Sequence, residues 1–173
     1  MKKILLGLMA LISTTAISQS NMQFTNPAVE DILLGNYDPA NYQSTSPIDD
    51  HDAIIQGIET GINPDSLKEY IIKMATFENR NTGADTISLF TGIGAARRWA
   101  FDKFEQFSLA NENRLEVSYF QFDQTICSQA QHRNILAVLP GTDTADNKVI
   151  VYEGHFDSRC QGVCDTACTA QGI

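Results

Sequence analysis

His155 and Asp157 stand two residues apart in the stretch KVIVYEGHFDSR, just after the apolar run Val149 to Tyr152. A neutral imidazole is a good zinc ligand, and a nearby carboxylate can accept its other N–H, fix the tautomer and raise the basicity of the ligating nitrogen. The chemistry on offer is metal binding, with His155 as ligand and Asp157 as its orienter. Taken alone, a His-x-Asp pair fits a metal-free surface loop at least as well. Its place in the chain favours a site, because the ligand crevice of an open α/β sheet lies beyond the carboxyl ends of the strands. Gly154 allows close backbone approach at that point.

Other reactive residues are weaker candidates. Glu153 and Asp165 flank the pair and could add oxygen ligands. His51 lies in the acidic cluster Asp49 to Asp52, which formally resembles a metal site but reads better as solvated loop charge. His132, beside Arg133, reads as an exposed polar residue flanking a strand. GIGAAR lacks both the Lys-Ser/Thr ending of one nucleotide loop and the third glycine of the other. Cys127, Cys160, Cys164 and Cys168 allow three disulfide pairings, which spacing does not separate. CQGVCDTAC lacks the paired C-x-x-C form of a thiolate metal site, so disulfides are the better reading.

The elements that must position these residues are partly legible. From Gln19 to about Gly61 the chain is polar and reads as loops with one or two short helical turns. Asn63, Pro64 and Asp65 then mark a helix start. Leu67, Tyr70, Ile71, Met74 and Phe77 follow at helical spacing, as a core stripe. ENRNTGADT is a polar turn, and GIGAARRWAFDKFEQFS forms a second helix with Ala96, Ala100, Phe104 and Phe107 on one face. The period then changes: Leu115, Val117, Tyr119 and Phe122 lie in a β-rich stretch, followed by apolar runs at Ile135 to Leu139 and Val149 to Tyr152. The last is continuously apolar, as expected of a strand buried on both sheet faces. Helices followed by such strands imply an α/β layer structure.

The chain has 173 residues and a formal charge of -9. That is enough chain for one modest core, and the acidity argues against nucleic acid or an anionic membrane as partner. Lys2 and Lys3 precede the apolar stretch Ile4 to Ile17, with small residues near Ser18, so residues 1–18 read as a secretory signal peptide and the protein as secreted or periplasmic. Ser13, Thr14 and Thr15 interrupt a segment too short to span a bilayer. An oxidising destination suits disulfides.

The block HRNILAVLPGTDTADNKVIVYEGHFDSR resembles the secreted zinc exopeptidases of metallopeptidase family 28, the aminopeptidase-like group. The matching positions are Asn134, Ala137, Gly141, Val149 to Val151, His155, Asp157 and Ser158. Upstream, ENRNTGADT and AARRWAFDKFEQF resemble the family's entry, where an Arg-containing turn leads to a Trp-bearing helix. The resemblance covers roughly Pro64 to Ile173. It implies the N-terminal part of a three-layer α/β/α zinc-aminopeptidase-like domain with a mixed sheet, here residues 62–173, preceded by a polar leader or propeptide-like segment, 19–61. It implies two zinc ions and a peptide or protein substrate, with His155 binding one zinc and Asp157 supporting it. In the family, the bridging aspartate, a Glu-Glu pair, another acidic ligand and a second histidine follow this motif. None of them occurs before Ile173, so the chain reads as an N-terminal fragment that is inactive by itself. The other reading is a non-catalytic, disulfide-stabilised secreted binding module.

Overall fold

The computed structural model describes residues 21–143, 148–158 and 162–167. The expected signal segment, 1–18, lies outside them, as do Cys160 and Cys168.

The β-rich stretch folds as a hairpin of β2 (Glu116–Ile126) and β3 (Gln129–Val138), with Tyr119 opposite Ile135 and Phe122 opposite His132. Cys127 and Ser128 turn it, at φ of 51° and 65°. Two successive positive φ values belong to the turn whose twist matches paired strands. That turn usually announces itself as Asn-Gly, so here it is not readable in the sequence. β1 (Gln23–Phe24) pairs with the other edge of β2, giving the order β1-β2-β3. The protein is α/β, as expected, but the described sheet is antiparallel throughout rather than mixed.

The polar segment before Gly61 holds more structure than its composition suggests. α1 (Pro27–Leu33) begins at Asn26, whose side chain accepts from the Ala28 N–H, and it buries Val29 completely. Asn26 also donates to Glu116, Arg114 donates to the Tyr42 carbonyl, and the Tyr37 hydroxyl donates to the Gly141 carbonyl. α2 (His51–Gly61) is a full 11-residue helix where only short turns are expected. Asp50 starts it by accepting from the Ala53 N–H at 2.8 Å. None of its residues is buried, so packing does not account for it, and the Asp50 cap is the local interaction that favours it.

α3 (Pro64–Ala75) starts as anticipated, with Asn63 accepting from the Asp65 and Ser66 N–H groups. Its apolar stripe needs correction as a core face. Phe77 is buried and Tyr70 and Met74 are half-buried, but Leu67 and Ile71 are more than half exposed. α3 touches the second helix, α4 (Gly92–Ala110), along one edge only, through Tyr70 with Trp99 at 5.8 Å and Phe107 at 6.4 Å. Ala96 on α4 is fully buried, whereas Phe104 and Phe107 stay partly exposed. α4 lies on the sheet through Phe101, stacked on Tyr119 at 4.5 Å. Among the described residues no helix is long and apolar enough to cross a membrane.

The core sits where α4 begins: Phe77, Ala95 and Ala96, with Met74, Trp99 and Phe156 packed against them. The glycines of GIGAAR serve this junction. The Gly92 N–H donates to the Phe77 carbonyl, and the Gly94 N–H donates to the Asp85 carbonyl. A Cβ on Gly94 would lie 2.2 Å from the Thr86 carbonyl oxygen.

Val149 to Tyr152 do not form the expected buried strand. They have no regular structure and are 70–93% exposed. A strand exists only where neighbours take its N–H and C=O groups. Among the described residues β3 pairs with β2 alone, so the apolar run has propensity but no ladder.

Gly94→Ala is expected to destabilise the fold by about 1–3 kcal/mol through overpacking. Gly57→Ala, on α2 with nothing within 4 Å, should instead stabilise it by about 0.4–1 kcal/mol. Denaturant unfolding checks both, and equal midpoints for the two variants would contradict the close-approach role of Gly94.

Candidate metal centre

The turn Glu78 to Gly83 is polar in sequence, yet its middle residues, Asn79 to Asn81, are buried in the fold. Arg80 is 4% exposed and Asn81 2%. Polar groups removed from water must find partners, and these find them on the two segments that carry the candidate chemistry. Arg80 Nε donates to the Phe156 carbonyl at 3.3 Å, and Nη1 donates to the Met74 carbonyl at 2.5 Å. Its backbone is engaged as well: the Ser158 N–H donates to the Arg80 carbonyl at 3.2 Å, and the Arg80 N–H donates to Ser158 Oγ at 3.4 Å. One residue thus grips both sides of Asp157 while the Phe156 ring enters the core.

The neighbouring asparagines hold the next segment. Asn79 Nδ2 donates to the Asp165 carbonyl at 3.0 Å, and Asn81 Nδ2 donates to the Val163 carbonyl at 2.8 Å. Their own oxygens accept from the Asn81 and Gly83 N–H groups, which sets the shape of the turn. A disulfide, Cys127–Cys164, fastens the same segment to the hairpin turn, with Cα atoms 5.1 Å apart. Closing a loop of this length contributes about 2–4 kcal/mol. The preference for disulfides over a thiolate metal site therefore holds for these two cysteines.

Held this way, His155 and Asp157 come together as the spacing suggests: His155 Nδ1 and Asp157 Oδ1 are 3.2 Å apart. The imidazole is 99% exposed and the carboxylate 41%. With Nδ1–H donating to Asp157, Nε2 presents its lone pair to solvent, the state a zinc ligand needs. Burial lowers the Arg80 pKa below its ordinary value, and the Asp157 charge opposes that shift. Asp157 therefore lies within the field of a buried cation on one side and holds the ring on the other.

The remaining candidates do not join them. Asp165 Oδ1 accepts from the Ala167 N–H and shapes its own turn. Glu153 and Gly154 are exposed, and nothing lies within 4 Å of a Cβ built on Gly154. His51 pairs with Asp52 at 3.0 Å on the exposed first turn of α2. His132 is not an exposed flanking residue: it is 5% exposed within β3, its ring 5.7 Å from Phe122 and its Nε2 3.2 Å from the Gln129 carbonyl. Pairing opposite Phe122 turns it into that face of the sheet. Among the described residues no three His, Cys, Asp or Glu side chains converge to hold a metal ion. Among the described residues the donor set here amounts to one imidazole and one carboxylate. A mostly apolar groove of about 500 Å³ between α3 and α4, walled by Trp99, Phe107 and Phe156, is lined by no His, Cys, Asp or Glu side chain.

Sequence reading missed Arg80, Asn79 and Asn81 as positioning residues. The available signal was an arginine between two asparagines, each able to make several hydrogen bonds, in a turn closed by Gly83.

Comparison with known proteins adds an independent line. Over 127 residues, 70% of this chain, it is 31% identical to a probable zinc metalloprotease of Phaeosphaeria nodorum, covering 25% of that protein. It is 29% identical over 122 residues to one of Leptosphaeria maculans, covering 28% of it. A third, from Pyricularia oryzae, is 28% identical over 125 residues, with 25% covered. The chain thus spans about a quarter of the length of the curated relatives it matches. No family model matches the chain, and no solved structure matches it.

Long-range ¹H–¹⁵N correlation at neutral pH should find the His155 proton on Nδ1. Asp157→Ala should release this preference and give a tautomer mixture. An unchanged tautomer in the variant would show that the carboxylate does not orient the ring.

Proposed function

We propose that this chain is the N-terminal part of an exported zinc-dependent peptidase, of the exopeptidase kind that acts at the amino end of peptides. In this reading residues 1–18 direct export, 19–61 form a leader, and 62–173 open the catalytic domain. The observation that carries it is the His155–Asp157 pair, held at 3.2 Å with Nε2 free, in the block that resembles zinc exopeptidases. Similarity to probable zinc metalloproteases supports the same chemistry.

His155 would hold one zinc of a pair through Nε2, and Asp157 keeps the Nδ1 proton in place. The chemistry zinc supplies when bound is polarisation of the scissile carbonyl and acidification of a water molecule. A catalytic zinc commonly takes three protein ligands, and the described residues provide one, so the general base and remaining ligands belong to sequence that this proposal places after Ile173. The second reading, a non-catalytic module, draws on that same incomplete ligand set.

The coding sequence after the Ile173 codon separates the two: an open frame encoding Asp-x-x-x-Gly and then Glu-Glu is expected, and a stop codon favours the module. Biochemically, the 173-residue chain is expected neither to retain two zinc ions on dialysis nor to cleave aminoacyl p-nitroanilides. The longer product should do both, and Asp157→Asn should reduce its zinc affinity or activity about 10–100-fold. Tight binding of two zinc ions with turnover by the 173-residue chain would contradict the half-site.

A further inference from the structure

A second group of charges lies away from His155, between α4 and the hairpin. Arg97, in the second turn of α4, is only 9% exposed. Its Nε donates to the Ile93 carbonyl at 3.3 Å. No described buried polar atom lacks a partner, so the two Nη groups, which have no hydrogen-bond partner among the described residues, keep some contact with solvent. Arg133 faces the same region from β3: its Nε donates to Gln121 Oε1 at 2.7 Å, and its guanidinium sits 5.5 Å above the Tyr119 ring. Tyr119 is in turn fixed against Phe101. Arg98 differs, since its guanidinium is committed to the carbonyls of Thr86, Ile87 and Ser88.

Among the described residues no carboxylate forms an ion pair with Arg97, Arg98 or Arg133. Burial is the main cause that lowers the Arg97 pKa, and the neighbouring Arg133 and Arg98 charges push in the same direction. Buried charges are ordinarily paired, because leaving one unpaired is costly. Here a buried cation instead has two further cations around the Tyr119 ring, and Asp102, whose charge also reaches that ring, forms no ion pair with any of the three.

We propose that Arg97 and Arg133 form a binding site for a carboxylate. A planar carboxylate matches the guanidinium fork in a two-point hydrogen bond and neutralises the excess charge. Arg97 supplies the buried Nη donors, Arg133 supplies the exposed rim, and Gln121 fixes the position of Arg133. A free small acid and an Asp or Glu side chain of a polypeptide share this chemistry.

Arginine Nε–H resonances of the 173-residue chain report on the site directly. Sodium acetate would replace sodium chloride at constant ionic strength, and a parallel titration would use aspartate blocked at both backbone ends. A saturable shift of the Arg97 and Arg133 signals is expected. It should disappear in Arg97→Gln and weaken about tenfold in Arg133→Gln. Arg133 is exposed, so that variant keeps the fold even if Arg97→Gln does not. Tighter binding of blocked aspartate assigns the site to a polypeptide side chain, and equal or tighter binding of acetate assigns it to small acids. A non-saturating change, or saturation that survives Arg133→Gln at full strength, would overturn the proposal.

Discussion

A buried arginine in a loop is the constraint on which the candidate centre depends. Arg80 loses most of its hydration, and its side chain recovers hydrogen bonds from the Met74 and Phe156 carbonyls. Such bonds to a charged donor are stronger than neutral ones, and breaking them would remove compensation from a buried cation. The loop is therefore fixed once Arg80 is placed, and whatever it binds is fixed with it. The flanking asparagines extend the grip to Val163 and Asp165, so one six-residue turn organises two segments that are far from it in sequence.

This arrangement explains how an almost fully exposed histidine can still have a defined geometry. His155 itself touches little besides Asp157. Its neighbour Phe156 is inserted against Phe77, Ala95 and Ala96, and Ser158 is bonded to the Arg80 backbone. Between these two anchors Asp157 has little freedom, and its carboxylate lies where the imidazole Nδ1 can meet it. The core, the polar turn and the candidate ligand form one unit. The glycines at the start of α4 belong to it too, because they let the helix approach Asp85 and Thr86 closely enough for Ala95 and Ala96 to reach Phe77.

What the sequence makes legible follows from how local each signal is. The start of α3 is readable because Asn63 and Pro64 act within one turn, and the His155–Asp157 pair is readable because two residues of spacing decide it. The burial of Arg80 is not, since it depends on Phe156 and Ser158, far away in sequence, and that of His132 follows from which face of the hairpin its pairing with Phe122 gives it. The hairpin turn at Cys127 and Ser128 is missed because its residues are unusual for its backbone shape. Val149 to Tyr152 mislead for the opposite reason: β propensity is strong there, but a strand needs a partner, and none of the described residues supplies one. Two of the five residues of the α3 stripe fail as core on the same ground, with Leu67 and Ile71 apolar yet uncovered.

The most direct test of the central claim is hydrogen exchange at the Ser158 amide in Arg80→Lys. Lysine keeps the charge but lacks the fork that reaches both carbonyls. If Arg80 is the clamp, the Ser158 amide should exchange about tenfold faster than in the unaltered protein, while the β2–β3 amides keep their rates. An unchanged Ser158 amide, or equal acceleration throughout the hairpin, would contradict the account.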